Sequence, residues 1–550
     1  MSQIISQSSK TFTRRRPADV QGWSSGQLLG FSGLSGQTDY EKGLVGRLRG
    51  PGLLELCLPY LAEVTFVGPV GPIEWGGDYL VAQNPADPLA AVFVDAHHLL
   101  IRGRCDVSES AGLVVRRQGD MTLIAVEEFL ETSAISSNLD GLIESRRSWI
   151  ERLDLPETND PLCAEALRKA ILMVRTQVMS PEGQIGRRWS TPDRWPHRQM
   201  WLWDSVFHAI GWRHFDLPLA CEMIEAVFDA QREDGFIPHM ISPDQVSDIT
   251  QPPVLAFGVM QMVVAGADIE WARPLYPRLV RYLRWNQKNR DTDGNGLLEW
   301  YIEAFEDCRS GESGMDNSPR FDDAQQLDAV DFNSFMAQEY RVLAILAERL
   351  GYGDDVATHR ASWQQYCDLI NQILWNEQTG FYHDHDPATG RQTPLLASSG
   401  FLPMFCGAAT SAQAERMVAH LSNPETFGTD LPVPSVSRCS RSSGEKDMWR
   451  GPVWVNMNWL IVSALESYGY VAEAKQLQAR TCREIIDQYQ RYGTIFEFYD
   501  DQALIDPPKL ERKGRNAPEI SPYHQPIHDF GWSASLFVDW VYQAAKLNRD

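Results

Sequence analysis

The sequence lacks any apolar run approaching the ~18 residues a membrane-spanning helix needs, which excludes a helical membrane span. The N-terminus, MSQIISQSSKTFTRRRP, has no apolar segment of the kind a secretory signal carries. Cysteine is sparse: Cys57, Cys105, Cys163, Cys221, Cys308, Cys367, Cys406, Cys439 and Cys482 are an odd set of nine in 550 residues. No two stand at CxxC or zinc-ligand spacing, so a disulfide framework and a zinc site are both disfavoured. Buried thiols in a reducing compartment, hence a cytoplasmic protein, are the expectation. Positive charge is also short, with 50 Lys and Arg against 73 Asp and Glu and a net charge of -23. A polyanionic surface repels phosphate backbones, which excludes nucleic acid as a partner. Neither a phosphate loop nor a Gly-rich dinucleotide fingerprint is present.

What is present is apolar and aromatic. Hydrophobic residues make up 43%, enough for more than one core. The 18 Trp concentrate near 195–212, 271–300 and 449–459. They suit either large cores or flat faces on which sugar rings stack.

Two textures follow one another along the chain. Residues 1–20 read as a polar, basic, disordered tail. From 21 to 131 the pattern has period two: Leu54, Leu56 and Leu58 alternate with Glu55 and Cys57. The runs Ala91–Val94, Leu99–Arg102, Leu113–Arg116 and Met121–Val126 are short and rich in β-branched residues, with turns such as Gly119-Asp120 between them. This predicts an N-terminal antiparallel β-sandwich. A linker with a charged helix follows at 132–157. From 158 to 550 the period is helical, as in Leu167, Ala170, Ile171 and Val174, in Leu275, Leu279 and Leu283, and in Val453, Met457, Leu460, Ile461, Ala464 and Leu465. A Gly-centred turn followed by an aromatic or β-branched run recurs at Gly183, Gly235, Gly296, Gly380, Gly428 and Gly493. Each interval holds about two helices, so a ring of six helical hairpins is expected. The loops leaving its inner helices would line a funnel at one end.

Carboxylates gather on these turn segments. GESGMDNSPRFD at 311–322 carries Glu312, Asp316 and Asp322 among small residues and a Pro; RYGTIFEFYD at 491–500 sets Glu497 between two Phe. WLWDSVFH contains Trp203 and Asp204, and WRGPVW contains Trp449, Arg450 and Gly451. Glycoside hydrolysis needs two flanking carboxyl groups, one protonated and one ionised. Spacing alone does not select that pair from 73 acidic residues, most of which cap helices or face solvent.

Here a resemblance enters. ESGMDNSPRFD resembles the general-acid segment of the processing α-glucosidase I family and of the related mannosylglycerate and glucosylglycerate hydrolases, and more distantly that of trehalase. WLWDSVFHAIGW, WRGPVWVNMNWL, FEFYD and HDFGWSASLFVDW resemble further segments of those families, in the same order, over about 200–540. The resemblance implies a mainly α fold, the six-hairpin (α/α)6 barrel, with the N-terminal β domain that relatives often carry. It implies Asp316 as general acid and Glu497 as general base of an inverting α-glycoside hydrolase. Trp203, Asp204, Trp449, Arg450 and Gly451 then fall on substrate-binding segments. Arg450 is either a structural partner for a carboxylate or a clamp for an anionic aglycone. Glu312 either biases the acid or accepts loop hydrogen bonds. His524 or His528, just before the last helix start, is expected to line the pocket. After FEFYD the chain runs Asp501-Gln502-Ala503, where family members have a Pro-Thr-Gly-like turn.

The expected substrate is a small α-glucoside or α-mannoside: a disaccharide, a glucosylglycerate or a glucosylglycerol. A sugar isomerase or epimerase on the same barrel, or a non-catalytic sugar-binding protein, is the alternative. The first would usually call for His acid/base pairs. No cofactor is required by this chemistry. DTDGNGLLE at 291–299 places Asp291, Asp293, Asn295 and Glu299 like ligands of an EF-hand loop but lacks the closing Glu. A structural calcium site and a metal-free Asp/Gly/Asn turn are its two readings. Oligomeric state is not legible.

Overall fold

The computed structural model describes residues 26–547 apart from 69, 83–87, 306 and 443. The tail expected at 1–20 lies outside these residues. Eleven strands come first: β1 (Leu28–Gly30), β2 (Val45–Gly50), β3 (Leu53–Leu58), β4 (Ala62–Phe66), β5 (Ile73–Trp75), β6 (Tyr79–Ala82), β7 (Ala90–Asp95), β8 (His98–Arg102), β9 (Cys105–Val107), β10 (Leu113–Gln118) and β11 (Met121–Val126). They form two antiparallel sheets, β1-β2-β3-β4-β9 and β10-β11-β8-β7-β6-β5. Leu54, Leu56 and Val64 of one sheet share an apolar core with Ala91, Phe93, Leu99 and Ile101 of the other. Strand alternation sends Ala90, Val92, Leu100 and Leu123 to the opposite face, where Leu139 and Ile143 cover them. Those two belong to α1 (Leu139–Glu151), the helix expected in the linker. Cys57 on β3 is buried, as expected of the thiols, and lies close enough to the Arg47 guanidinium to feel its charge.

The rest is mainly helical: α2 (Pro161–Thr176), α3 (Leu202–Trp212), α4 (Leu217–Asp229), α5 (Leu255–Val264), α6 (Tyr276–Arg290), α7 (Val330–Leu350), α8 (Gly353–Leu369), α9 (Leu402–Phe405), α10 (Ser411–Ser422), α11 (Val455–Ser467), α12 (Val471–Tyr492) and α13 (Gly531–Leu547). Local chemistry sets their ends. Asp160 caps α2 with Pro161 in the first turn, Asp216 caps α4, and Thr410 and Gln413 form a capping box on α10. α3 packs on α5, α5 on α7, α7 on α9, α9 on α11, α11 on α13 and α13 back on α3. Helices α4, α8 and α12 each pack on the helix just before them, and α2 packs on α13.

The recurrent glycines fall in the connections after α2, α4, α6, α8, α10 and α12. Five of them have positive φ; Gly428 does not, and there a side chain would meet the Ser422-Asn423 backbone instead. The site segments lie on these same connections or on the first turn of the helix that follows. These are loops entering α3, α7, α11 and α13 at their N-termini, where the sequence suggested loops leaving the inner helices. All nine cysteines are free, but Cys439 is exposed.

Candidate functional site

The loop between α6 and α7 carries Asp316. Its shape comes from small residues. Arg309 and Ser310 donate backbone N–H bonds to the Asp316 carbonyl at 2.9 and 3.2 Å. The Ser313 hydroxyl donates to the Ser310 carbonyl at 2.8 Å and accepts from the Met315 N–H at 3.0 Å. Gly314 has φ 70°, and a Cβ there would stand 2.3 Å from Cζ2 of Trp203. The loop is thus seated directly on the buried Trp203 indole. Asn317 ties it to the Trp449 turn: its side-chain oxygen accepts from the Trp449 N–H at 3.0 Å and its carbonyl from Arg450 at 3.1 Å. Trp449 stacks on Trp454 at 3.9 Å, and Trp454 and Trp203 both meet Trp532 edge-on.

Several expected residues are anchors in this framework. Glu312 is fully buried; it accepts a bidentate pair from Arg290 at 2.7 and 2.9 Å and N–H bonds from Thr250 and Tyr301. Its charge is met by Arg290, so of its two readings the structure has the loop acceptor. Arg450 is equally committed, bidentate to Asp322 at 2.8 and 2.7 Å and also paired with Glu445. It is a structural partner, and its fork is not open to an aglycone. Gly451 provides close approach: a Cβ would lie 2.3 Å from Arg441 and 2.6 Å from the Glu445 carbonyl. His524 folds the 512–526 segment through its backbone, accepting from Ala517 and donating to Ser521.

Glu497 is buried between the ends of α12 and α13. Arg512 donates to both of its oxygens, at 2.8 and 3.0 Å, and the Ile527 N–H donates at 3.2 Å. Burial opposes charge on Arg512, but Glu497 and then Asp316 hold the guanidinium charged. The next residue, Lys513, sets its ammonium 3.4 Å from Asp316 Oδ2. Consecutive residues, with Cα atoms about 3.8 Å apart, therefore reach the two carboxyls, which confines those carboxyls to one region. Asp204 reports the same thing. Burial drives its carboxyl well above the usual range, and Asp193, Glu497 and Asp316 add to the effect. His197, bonded through Nδ1 to Asp193 at 2.5 Å, meets Arg512 at 3.4 Å through Nε2, so Asp193 and His197 support the Arg512–Glu497 pair from behind.

Sequence reasoning missed Arg512, Lys513, Asn317, Asp193 and His197. The basic run KLERKGRN followed the base motif where the family-like turn is absent, which was the available signal. The new loop is held by Asp500 and Asp501, which pair with Lys446, and Asp501 also with Arg441.

The 291–299 turn brings Asp293 and Glu299 together with Asp328, their ligand oxygens within 4.8 Å of one another. Asp291 instead accepts from the Gly296 N–H at 3.3 Å. Asn295 points its amide donors at Asp293 and Asp328. Asp328, unforeseen, reaches the turn through bridges to Glu299 and His385. Its Oδ1 is buried without a hydrogen-bond partner. Three carboxylates with an orphaned oxygen fit a divalent cation.

Residues 197–503 match the mannosylglycerate hydrolase MGH1-like glycoside hydrolase domain. The chain is 27% identical to a mannosylglycerate hydrolase of Thermus thermophilus, over 62% of this chain and 94% of that protein. It is 24% identical to a glucosylglycerate hydrolase of Mycolicibacterium hassiacum, over 56% of this chain and 88% of that protein. A crystal structure of a GH63 mannosylglycerate hydrolase from Thermus thermophilus in complex with glucose superposes with a TM-score of 0.55 at 26% identity, covering 69% of this chain and all of that one. Among the described residues no helix is long and apolar enough to cross a membrane. Carboxylates gathered on loops at one end of a helical framework are what such a hydrolase requires, and the protein belongs to the MGH1-like glycoside hydrolase family.

Proposed function

We propose that this glycoside hydrolase cleaves an α-glycosidic bond in a small glucoside or mannoside with inversion. Asp316 is the general acid and Glu497 the general base. Asp316 gives its proton to the glycosidic oxygen as the bond from that oxygen to the anomeric carbon breaks, and the bonding pair leaves with the aglycone. Glu497 takes a proton from a water whose oxygen bonds to the anomeric carbon on the opposite face. Inversion expects ~6.5–9.5 Å between the two carboxyls, room for that water. The observation that carries the reading is that neighbouring residues, Arg512 and Lys513, pair with Glu497 and Asp316 respectively. The Arg512 fork on both Glu497 oxygens suits a group that takes up a proton during the cycle. The more exposed Asp316 side chain, 24% accessible, suits a group that meets the leaving oxygen. Trp203, Asp204 and Trp449 then bound the sugar subsite.

The neighbour-to-neighbour contacts from α3 round to α13, with one glycine turn before each member, support a six-hairpin (α/α)6 barrel over 158–550. A β-sandwich domain at 21–131 and a linker at 132–157 precede it. Asp293, Glu299 and Asp328 would hold a structural calcium that braces the loop and takes no part in proton transfer. Free thiols and the acidic surface support a cytoplasmic setting. Relatives named for mannosylglycerate and glucosylglycerate make glycosylglycerates the leading substrates.

The test is NMR of products from glucosylglycerate, mannosylglycerate, glucosylglycerol, trehalose and kojibiose. Initial release of the β-anomer is expected. Asp316→Asn and Glu497→Gln should each lower kcat by about 10²–10⁴-fold with the melting curve retained. Release of the α-anomer, or either variant keeping wild-type turnover, defeats the assignment.

A further inference from the structure

We propose that Asp529 is a positioning residue for Glu497, fixing where the base carboxylate stands. The proposal rests on Glu497 being the general base. Two short segments hold that carboxylate, 494–497 after α12 and 527–530 before α13. They pair with each other: the Glu497 N–H donates to the Ile527 carbonyl at 3.0 Å, the Phe530 N–H donates to the Ile495 carbonyl at 3.1 Å, and Phe496 stands opposite His528. The same pairing aims the Ile527 N–H at Glu497 Oε2, at 3.2 Å. A slip of one segment along the other therefore moves a donor that touches the base. A general base must stay within hydrogen-bond reach of its water, and a misplacement of ~1 Å costs about a hundredfold.

Asp529 prevents the slip. Its N–H donates to the Thr494 hydroxyl oxygen at 2.9 Å, and its Oδ1 accepts from that hydroxyl at 2.7 Å. It has φ 55°, the left-handed region that a non-glycine residue enters only when its surroundings require it. Other parts of the chain supply those surroundings. The Leu28 N–H of β1 donates to Oδ2 at 2.8 Å, Lys169 of α2 pairs with Oδ1 at 3.0 Å, and Gln177 donates to the Asp529 carbonyl at 2.6 Å. Lys169 is itself seated over the Trp75 ring of β5. Asp529 and Thr494 are both fully buried, so these bonds face no competing water and are stiff.

A second line from the sheet region reaches the Arg512 side of the base. Arg47 of β2 is buried over the Trp195 ring, 4.8 Å from its centroid. Burial opposes charge on Arg47, and Asp193 and Asp529 are among the groups that favour it. Asp193 in turn holds His197, which meets Arg512. The anchors behind Glu497 thus include residues of β1, β2 and β5, strands that precede the family match at 197–503. Through Asp529 the sheet region becomes part of the support of the base.

The experiment uses the full-length wild type, Thr494→Val, Thr494→Ser, Asp529→Asn and Glu497→Gln, each assayed below the foot of its melting transition. Two substrates are compared: the α-glycoside that the wild type cleaves, and α-D-glucosyl or α-D-mannosyl fluoride, according to the sugar released. Fluoride departs as an anion without a proton from the acid, while the attacking water still needs the base. A fault at the base therefore lowers both rates alike, and a fault at the acid spares the fluoride. Thr494→Val, of the same shape without the hydroxyl, should lower kcat about tenfold to a hundredfold on both substrates, with KM little changed. Thr494→Ser should restore most of the loss. Asp529→Asn, a residue type that accepts positive φ, should repeat the pattern and serves if Thr494→Val does not fold. Three results overturn the positioning role: wild-type kcat in folded Thr494→Val or Asp529→Asn, a loss spared on the fluoride, or Thr494→Ser as impaired as Thr494→Val. With Glu497→Gln inactive in the same assay, the base assignment outlives that failure. Glu497→Gln turning over like the wild type overturns the base assignment and this inference together.

Discussion

Gly314 shows how much a single residue decides in this site. It lies two residues before Asp316, has φ 70°, and leaves no space for a side chain above Trp203. Gly314→Ala should therefore strain the backbone by about 1–3 kcal/mol and lift Asp316, the proposed acid, off its seat. A misplacement of ~1 Å is enough for about a hundredfold loss, so kcat should fall by roughly that factor, by more than the melting temperature change explains. Kinetics and a thermal melt on the same preparation check this; wild-type kcat in the variant would show that the contact does not position the acid. The residues paired with the two carboxyls were harder to foresee. Asp316 and Glu497 were singled out because each sits in a short segment that resembles a family motif. Arg512 and Lys513 sat in a run of ordinary basic residues, and nothing in the spacing said which of them turned inward.

Among the elements, the connections carry more of the function than the helices they join. The α6–α7 loop holds Asp316, the proposed acid, and also the carboxylate cluster of Asp293, Glu299 and Asp328. Burial raises the Asp328 and Glu299 carboxyls, and each is pushed further by Asp293. A divalent cation would relieve that repulsion. Millimolar CaCl₂ should raise the melting temperature by a few degrees through preferential binding to the folded state, and Asp328→Asn should abolish the rise. Identical melts in CaCl₂ and in EDTA would remove the site. Asp529 ties elements across the molecule: it accepts from the Leu28 N–H at the start of β1, from Thr494 beyond α12, and pairs with buried Lys169 of α2 at 3.0 Å. The sheet region and the helical region are thereby tied together at Asp529, on the connection that carries Glu497.

At the scale of the whole molecule, buried ionisable groups set how the fold responds to acid. Burial pushes the His208 imidazole down to about 3. It bonds to Ser190 at 2.7 Å and packs over Gly531, where α13 begins. A depressed histidine stays neutral in the fold while the unfolded chain takes up a proton below about 6.5. Its contribution is thus intact above that pH and is lost as pH falls toward 3, by roughly 1.4 kcal/mol per pH unit. Urea unfolding from pH 7 to 4 should show this decline, and His208→Gln, which can still bond to Ser190, should flatten it. The same slope in both proteins would place the acid sensitivity elsewhere.

What the sequence determined by itself was everything local. Strand alternation, helical period, caps, recurrent glycines and the composition of the two carboxylate loops depend on neighbours a few residues away, and each is written in order along the chain. The tertiary structure alone decided the partners. Arg512 meets Glu497 across 15 positions, Asp328 meets Asn295 across 33, and Asn317 meets Trp449 across 132. It also decided which expected binders were spoken for, Arg450 by Asp322 and Glu312 by Arg290. A charge's role depends on what else lies within a few ångströms, and distance in space is not readable from distance in sequence until the chain has closed on itself.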